Sequence, residues 1–269
     1  MKTIRIIAAM AILTLVWGCS SSDDATDNKE GNGEKQWTGS TFAPSEKPQW
    51  AIDWSSNAVK PDWQEAAATK YDCSMSMLIR LTKDLASHST DNDMMGIFIN
   101  GECRGVSYRN KLANGRVAFL LHVKGTSDEA NHAMELRYYC DGLHHLNITN
   151  AISPFVPNNV MDEVYQSDFD IDNGSTKYPL KTNLAVMLPE QLPFAETAND
   201  MLAVFVGGEC RGIGYQGGDL YEGWRVTVVG AQKDETAEIR YYSADKKGTY
   251  TLLKTFKLSG SLQQENISF

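Results

Sequence analysis

A long internal repeat is the feature that most constrains the fold of this chain. The stretch GIFINGECRGVSYR (Gly96–Arg109) is nearly copied as AVFVGGECRGIGYQ (Ala203–Gln216). Cys103 and Cys210 lie 107 positions apart, whereas Arg137 and Arg240, in a second matching block, lie 103 apart. Solenoid units are shorter, about 20–50 residues, so a repeat of this length predicts two tandem domains.

Short β-branched or aromatic segments within the repeats predict strands. Four of them are Ser74–Leu81, Gly115–Val123, Trp224–Gly230 and Thr249–Leu258. Asp62–Tyr71 is expected to form a helical turn or two. This pattern predicts an all-β fold of two tandem β-sandwich domains, immunoglobulin-like or jelly-roll-like, over residues 46–158 and 159–269.

The repeated motif itself predicts a hairpin. Asn100-Gly101 and Gly207-Gly208 suit the positive φ angles of a two-residue type I′ turn. If the strands on both sides of the Asn100-Gly101 turn pair regularly, Ile97 lies opposite Arg104 and Gly96 lies opposite Gly105. Alternation then places Cys103 in the core beside Phe98. Glu102 and Arg104 lie together on the other face as a surface or cross-strand ion pair, which contributes only ~0–1 kcal/mol if exposed.

A cysteine between glutamate and arginine could also be a nucleophile. That chemistry needs an activating base, and no histidine accompanies the motif in both copies. The structural interpretation is therefore favoured over a reactive cysteine. Cys73 and Cys140 have no cysteine counterparts in the second copy, which predicts a disulfide between them, with two unpaired thiols as the alternative.

The N-terminus predicts export and a lipid anchor. Residues 1–18 carry a basic start and an apolar run too short to span a bilayer, as a signal peptide does. Gly18-Cys19 resembles the cleavage and acylation site of bacterial lipoproteins, with Cys19 as the lipidated residue. The rest of 19–45, polar and acidic at its start, is expected to be a flexible tether.

The charge of the chain argues against several partners. Loss of Lys2 and Arg5 with the signal leaves 23 of 25 basic residues against 34 acidic ones, a formal charge of −11. Nucleic acids and anionic lipids attract basic surfaces, so neither is an expected partner. The membrane would be reached through the lipid alone.

Two clusters invite a metal interpretation. In Cys140–His145, adjacent histidines of a strand point to opposite faces, so a polar hairpin loop is favoured over zinc. Asp168, Asp170 and Asp172 alternate like the start of a calcium loop, but Asn173 and Pro179 stand where an EF-hand needs glycine and glutamate. A looser calcium site and a solvated linker remain the alternatives.

Aromatic residues are the candidates for ligand binding. Trp50, Trp54 and Trp63 could stack on sugar rings or pack into the first domain. Tyr221 and Trp224 accompany the loop Gly217–Gly223, which together with Asn110–Gly115 differs between the copies. Tyrosines present in both copies are expected to serve the fold; they are Tyr108, Tyr138, Tyr139, Tyr215, Tyr241 and Tyr242.

These blocks also resemble a known module. Asn-Asp-Met, the GGECRG-type hairpin and RYY resemble a β-sandwich module of Bacteroidetes cell-surface proteins, typically written AFVGDECRG, and the resemblance extends from Trp50 to about Ser259. It implies a cell-surface location and supplies no catalytic residues.

The sequence therefore predicts a non-enzymatic surface lipoprotein of the outer membrane that binds an extracellular ligand. A glycan is the leading candidate for that ligand, and no cofactor is expected. The alternative is a structural or accessory protein of an envelope assembly that makes protein–protein contacts. No Ser-His-Asp order, metal motif or phosphate loop favours an enzyme.

Overall fold

The fold is all-β, as the sequence predicts. The computed structural model describes residues 37–159, 167–218, 222–262 and 264–268. The first strands are β1 (Ser40–Pro44), β2 (Cys73–Leu81), β3 (Met94–Ile99), β4 (Glu102–Tyr108), β5 (Asn110–Lys111), β6 (Val117–Gly125), β7 (Glu135–Cys140), β8 (His145–Asn150) and β9 (Ser167–Phe169). The later strands are β10 (Leu180–Met187), β11 (Met201–Val206), β12 (Glu209–Ile213), β13 (Tyr215–Gln216), β14 (Trp224–Gly230), β15 (Thr236–Ser243), β16 (Gly248–Leu252), β17 (Phe256–Lys257) and β18 (Glu265–Ser268).

Helical structure is sparse in the described residues. One short helix, α1 (Lys83–Ser87), follows β2. Three single 3₁₀ turns are Ala68–Lys70, Ser127–Glu129 and Asp141–Leu143. The predicted helical turns within Asp62–Tyr71 reduce to the first of these.

Each repeat forms a sandwich of two sheets. In the first, the sheet β5-β6-β2-β9 packs on the sheet β4-β3-β7-β8. In the second, the sheet β13-β14-β10-β18 packs on a six-stranded sheet with the order β1-β16-β15-β11-β12 and β17 beside β15. The last strand of each set, β9 or β18, runs parallel to β2 or β10.

Alternation along the strands produces the cores. In β2, Met75, Met77 and Ile79 are buried, whereas the intervening Ser74 and Ser76 are not. Side chains of a strand point alternately to its two faces, so one face of β2 enters the core and the other stays outside. Predicted strands β2, β6 and β14 are confirmed, but Thr249–Leu258 is divided into β16 and β17.

A buried aspartate joins the two matching blocks within each sandwich. Asp93 accepts a hydrogen bond from the Tyr138 hydroxyl at 2.6 Å and another from the Asp141 amide at 2.9 Å. Asp200 makes the same bond with Tyr241 in the second copy. These bonds give the repeated Asn-Asp-Met and RYY blocks a structural role, because a buried carboxylate must be satisfied by donors.

The predicted boundaries of the repeats need two corrections. Residues 167–169, assigned to the second domain, form β9 and pair with β2 of the first sandwich. Residues 40–44, assigned to the flexible tether, form β1 and pair with β16 of the second sandwich. Pairing between strands that lie so far apart in sequence cannot be predicted from local composition.

Trp37 explains why the second sandwich extends to the N-terminal side. Its ring is 5% exposed in the second core, with ring centroids 5.3 Å from Tyr250 and 6.0 Å from both Phe194 and Tyr241. A tryptophan in this position buries a large apolar surface. The segment that precedes the first repeat in the sequence thus forms part of the second sandwich.

Substitution Trp37→Ala should therefore destabilise the protein by about 3–5 kcal/mol, the range for a large core aromatic. Urea denaturation followed by circular dichroism would measure the change. Val59→Ala is the control, because Val59 is 86% exposed and should change stability little. A loss below about 1 kcal/mol for Trp37→Ala would mean that the segment does not belong to the core.

Candidate functional site

The repeated motif forms the predicted turn in both copies. Asn100 and Gly101 have φ angles of 51° and 79°, and Gly207 and Gly208 have 57° and 86°. In the first copy, the two residue pairs next to the turn also follow the prediction. Ile99 lies opposite Glu102, and Phe98 lies opposite Cys103. The two-residue hairpin is confirmed.

A β-bulge then changes the register. Ile97 lies opposite Gly105 instead of Arg104, so Arg104 is the extra residue of its strand. The same shift occurs in the second copy, where Val204 lies opposite Gly212 and Arg211 is extra. The predicted pairs of Ile97 with Arg104 and of Gly96 with Gly105 are therefore wrong. Simple alternation cannot anticipate a bulge.

The bulge places a buried arginine at the edge of each sandwich. Arg104, with 5% of its side chain exposed, donates to both carboxylate oxygens of Glu129 at 2.9 and 2.6 Å. It also lies 3.3 Å from Glu102 and 4.4 Å from the ring centre of Tyr71. The hydrogen bonds from Arg104 hold the pKa of Glu129 below its usual value. The predicted ion pair of Glu102 with Arg104 is thus present, but Arg104 is buried and its shorter contact is with Glu129.

The second copy repeats this arrangement with other distances. Arg211, with 8% of its side chain exposed, lies 3.0 Å from Glu209 and 3.7 Å from Glu235. Its guanidinium lies 4.3 Å from the ring centre of Tyr178. An arginine between carboxylates and an aromatic ring is a structural ion pair in both sandwiches.

The glycine of the motif allows a close approach of two strands. A Cβ atom on Gly105 would lie 2.3 Å from the His122 carbonyl oxygen in β6. A Cβ atom on Gly212 would lie 2.8 Å from the Thr227 carbonyl oxygen in β14. Only glycine fits such a contact without moving the backbone.

Cys103 lies outside the core between the sheets. It shares the outer face of its sheet with Phe98 and is covered by the segment around Trp63 and Ala66, whose amide donates to the Cys103 carbonyl oxygen. The predicted burial of Cys103 beside Phe98 is confirmed, but both side chains lie outside the cluster between the two sheets. Burial raises the pKa of Cys103 and of Cys210, which disfavours the thiolate needed for nucleophilic attack.

The predicted disulfide is absent, because Cys73 and Cys140 lie far apart. Cys73 starts β2, with its sulfur 3.5 Å from the Ser127 hydroxyl. Cys140 ends β7, and its sulfur lies 3.6 Å from the carbonyl oxygen of His88, which follows α1 beyond the other end of β2. Nine residues of strand span about 26 Å, far more than the ~7 Å between Cα atoms that a disulfide allows.

The three aspartates do not gather into a calcium site. Asp168 pairs with Arg116 and Arg80, and Asp172 pairs with Lys181 at 2.9 Å. Within the described ranges, no group of three acidic, histidine or cysteine side chains could hold a metal ion. The alternative of a looser calcium site is not supported, because basic side chains already pair with two of the three carboxylates, those of Asp168 and Asp172.

The tryptophans before the first repeat belong to a strap, which we define as residues 46–67. From Trp50 to Ala58, half-buried residues alternate with exposed ones although no strand forms. Trp50 packs edge-on against Phe205 at 5.6 Å, and Trp63 packs edge-on against Phe98 at 5.8 Å. The strap thus covers equivalent phenylalanines of the two sandwiches.

Trp54 lies where the two repeats meet. Its ring is 5.6 Å from Tyr178 and 6.1 Å from His145. Lys177 also reaches the strap and donates to the carbonyl oxygens of Asp53 and Ser55, both at 2.6 Å. All three strap tryptophans therefore face the protein, so their predicted role as a sugar-binding surface loses its structural support.

The other two aromatic candidates do not supply an exposed ring either. Trp224 is 3% exposed, packs edge-on against Tyr241 at 5.8 Å and donates from its indole nitrogen to Glu196 at 3.2 Å. Tyr221 lies outside the described residues. Trp224 is thus a core residue that touches the surface only at its edge.

Exposed aromatic rings occur instead at a position expected to serve the fold. Tyr108 and Tyr215, equivalent in the two copies, are 58% and 66% exposed. The expectation of a fold role is therefore wrong for this pair, although it holds for the buried Tyr138 and Tyr241. Tyr215 starts the separate two-residue strand β13, which forms the edge of the sheet β13-β14-β10-β18, and its side chain is exposed there.

Tyr215 borders a polar depression of 260 Å³ on that face. Its partner across the strands is Arg225, and the lining includes Asn183, Thr227 and Gln264. The Thr227 hydroxyl donates to the Asn183 side-chain oxygen at 2.9 Å, while the Asn183 amide donates to the Leu262 carbonyl oxygen, also at 2.9 Å. These bonds hold the amide plane of Asn183 in place.

Comparison with known proteins does not assign the chain to a group: no family model and no curated protein matches it. In the part of the chain that the structure describes, no helix combines the length and the apolar character needed to cross a membrane. The outer face around Tyr215 is therefore the candidate site.

His145 provides a test of the junction beside Trp54. It is fully buried, and this burial, with a smaller contribution from Lys177, lowers its pKa to about 4. An unfolded histidine titrates near 6.5, so the unfolded chain binds more protons between these values and stability falls as pH decreases. Between pH 7 and pH 4.5 the loss from this group should be about 2–3 kcal/mol.

We expect His145→Leu to remove that part of the pH dependence, and His132→Gln, at an exposed position, to retain it. Urea denaturation at both pH values measures the difference. An unchanged pH dependence in His145→Leu would show that the histidine is not buried as a neutral group.

Proposed function

We propose that this protein is a non-enzymatic, lipid-anchored protein of the bacterial outer surface that binds a glycan on the outer face of the second sandwich. The observation that carries the proposal is the exposed Tyr215 ring beside a depression lined by Asn183, Arg225, Thr227 and Gln264. The site differs from the strap tryptophans that the sequence favours.

The chemistry of this face suits a sugar. The faces of a pyranose ring present apolar C–H groups, which pack against an exposed aromatic ring. Its hydroxyl groups need donors and acceptors around that ring, and amide, hydroxyl and guanidinium groups supply both. Asn183 and Thr227 are already fixed by their mutual hydrogen bond, so little side-chain entropy is lost on binding.

The equivalent face of the first sandwich has different chemistry. Leu78 and Leu120 are direct partners across β2 and β6, and Leu120 is 52% exposed. Tyr108, the equivalent of Tyr215, ends β4 opposite Met94 and is 58% exposed. Because apolar side chains replace the polar ones, the glycan proposal applies to the second sandwich alone.

This apolar face favours a second candidate function. Exposed apolar side chains on a protein surface resemble the centre of a protein interface. An accessory role in an envelope assembly would use Tyr108, Leu120 and Leu78 for protein contacts. The two roles occupy different sandwiches and are separable by mutation.

The anchor and location remain part of the proposal. The signal-like residues 1–18 and Cys19 lie outside the described residues, and the location is inferred from their sequence and from the resemblance to Bacteroidetes surface modules. The formal charge of −11 for the chain without its signal agrees with the absence of a nucleic-acid role.

Substitution Tyr215→Ala should weaken glycan binding about tenfold, because it removes the ring that stacks on the sugar. A tenfold loss of affinity corresponds to about 1.4 kcal/mol of binding free energy. A glycan array with the intact protein identifies the ligand, and calorimetry measures the affinity of each variant. Tyr108→Ala is the matched control, since it removes the equivalent exposed ring and should leave the affinity unchanged.

Two outcomes would contradict the proposal. One is the absence of glycan binding by the intact protein across the array. The other is a loss of affinity in Tyr108→Ala with none in Tyr215→Ala. Recovery of an envelope protein that no longer binds after Leu120→Asp would support the second candidate function.

A further inference from the structure

Both sandwiches have a cavity at the same end. The first, of 520 Å³, opens where β2 ends at Leu81 and β6 begins at Val117. The second, of 370 Å³, opens where β10 ends at Met187 and β14 begins at Trp224. The duplication therefore placed two cavities at one structural position, which allows a direct comparison of their linings.

The first cavity combines an apolar floor with a basic rim. Leu81, Ala86 and Val117 form the floor, and the first and last of these are almost fully buried. Lys83 and Arg116 stand on the rim. The volume is in the range of sites for small ligands, about 300–1,000 Å³.

Among the described residues, acidic groups neutralise this rim only in part. Asp168 is the acidic residue of the lining, and one of its oxygens serves two cations, Arg116 at 2.5 Å and Arg80 at 3.4 Å. Arg80 does not line the cavity, so the charged residues of the lining are Lys83, Arg116 and Asp168, which together carry one net positive charge. Two nearby acidic residues of the described chain, Asp84 and Asp170, are exposed and do not line the cavity. An excess of positive charge in such an acidic chain attracts anions locally.

The second cavity has the opposite charge. Its floor is also apolar, with Leu188, Leu192 and Phe194, but its charged residues are Glu190 and Glu196. A cavity that merely resulted from the fold would have no reason to keep a basic rim in one copy and an acidic rim in the other. The difference points to a ligand selected by charge in the first sandwich.

We propose that the first cavity binds a small organic carboxylate with a compact apolar body. The carboxylate would accept hydrogen bonds from Arg116 and Lys83, whose guanidinium and ammonium groups favour ionised acceptors. The apolar body would cover Leu81, Ala86 and Val117. This site is separate from the glycan face of the second sandwich, so either one can fail without the other.

Benzoate and cyclohexanecarboxylate are suitable probes, with benzamide as the neutral analogue and inorganic phosphate as an anion without an apolar body. Nuclear magnetic resonance of the ¹⁵N-labelled intact protein reports binding through the amides of Gly115 and Val117. We expect both carboxylates to shift these amides in a saturable way, and benzamide and phosphate to bind at least tenfold more weakly.

Variants test the contribution of each part of the site. Arg116→Gln and Lys83→Gln should each weaken benzoate binding at least fivefold, whereas Glu196→Gln in the second cavity should have no effect. Ala86→Met fills the cavity without changing its charge and should also weaken binding, which keeps the test valid if Arg116→Gln impairs folding. Tyr215→Ala should leave benzoate binding intact and thereby separates this proposal from glycan binding.

Three results would overturn the inference. The first is no saturable shift with either carboxylate. The second is equal binding of phosphate and benzoate, which would indicate an anion site without an apolar part. The third is binding that persists in both Arg116→Gln and Ala86→Met.

Discussion

The close contact of two strands at the edge of each sandwich is the constraint on which the rest of the structure depends. At this edge Gly105 lets β4 approach β6, and the bulge directs Arg104 toward Glu129 and the Lys124 carbonyl oxygen. Glu129 also caps the 3₁₀ turn that leads toward β7 by accepting from the Thr126 amide. One buried ion pair thus ties the hairpin to the opposite sheet, and the second copy uses Arg211 in the same way.

A second constraint joins the two sandwiches. The chain first completes the second sandwich with β1, then crosses the junction as the strap and finally enters the first sandwich. Edge-on ring contacts of Trp50 and Trp63 cover equivalent phenylalanines, and these phenylalanines also contact Arg240 and Arg137. Aromatic residues that could have formed a binding surface are used for cohesion instead. Among the described residues, the outer sheet faces and the cavities at the sandwich ends remain open to ligands.

Local pattern and duplication predicted much of this fold. The strands, the all-β class and the turn at Asn100-Gly101 follow from alternation, β-branched residues and glycine placement, which act over a few residues. The bulge at Arg104, the pairing of β1 with β16 and the distance between Cys73 and Cys140 depend on contacts remote in sequence. The candidate site shows the same contrast between local pattern and remote contacts. Tyr215 is exposed because it lies on a short edge strand, whereas the sequence alone favoured the tryptophans. A tyrosine ending the strand pattern in both copies was the available signal.

The Glu-Cys-Arg-Gly motif is thus a structural device built around a buried arginine. A double-mutant cycle of Arg104→Met and Glu129→Gln, measured by urea denaturation, tests it most directly. We predict a coupling energy of about 1.5–3 kcal/mol, because each single variant leaves one buried partner without its counterpart. A coupling below about 0.5 kcal/mol, as found for exposed ion pairs, would contradict the claim.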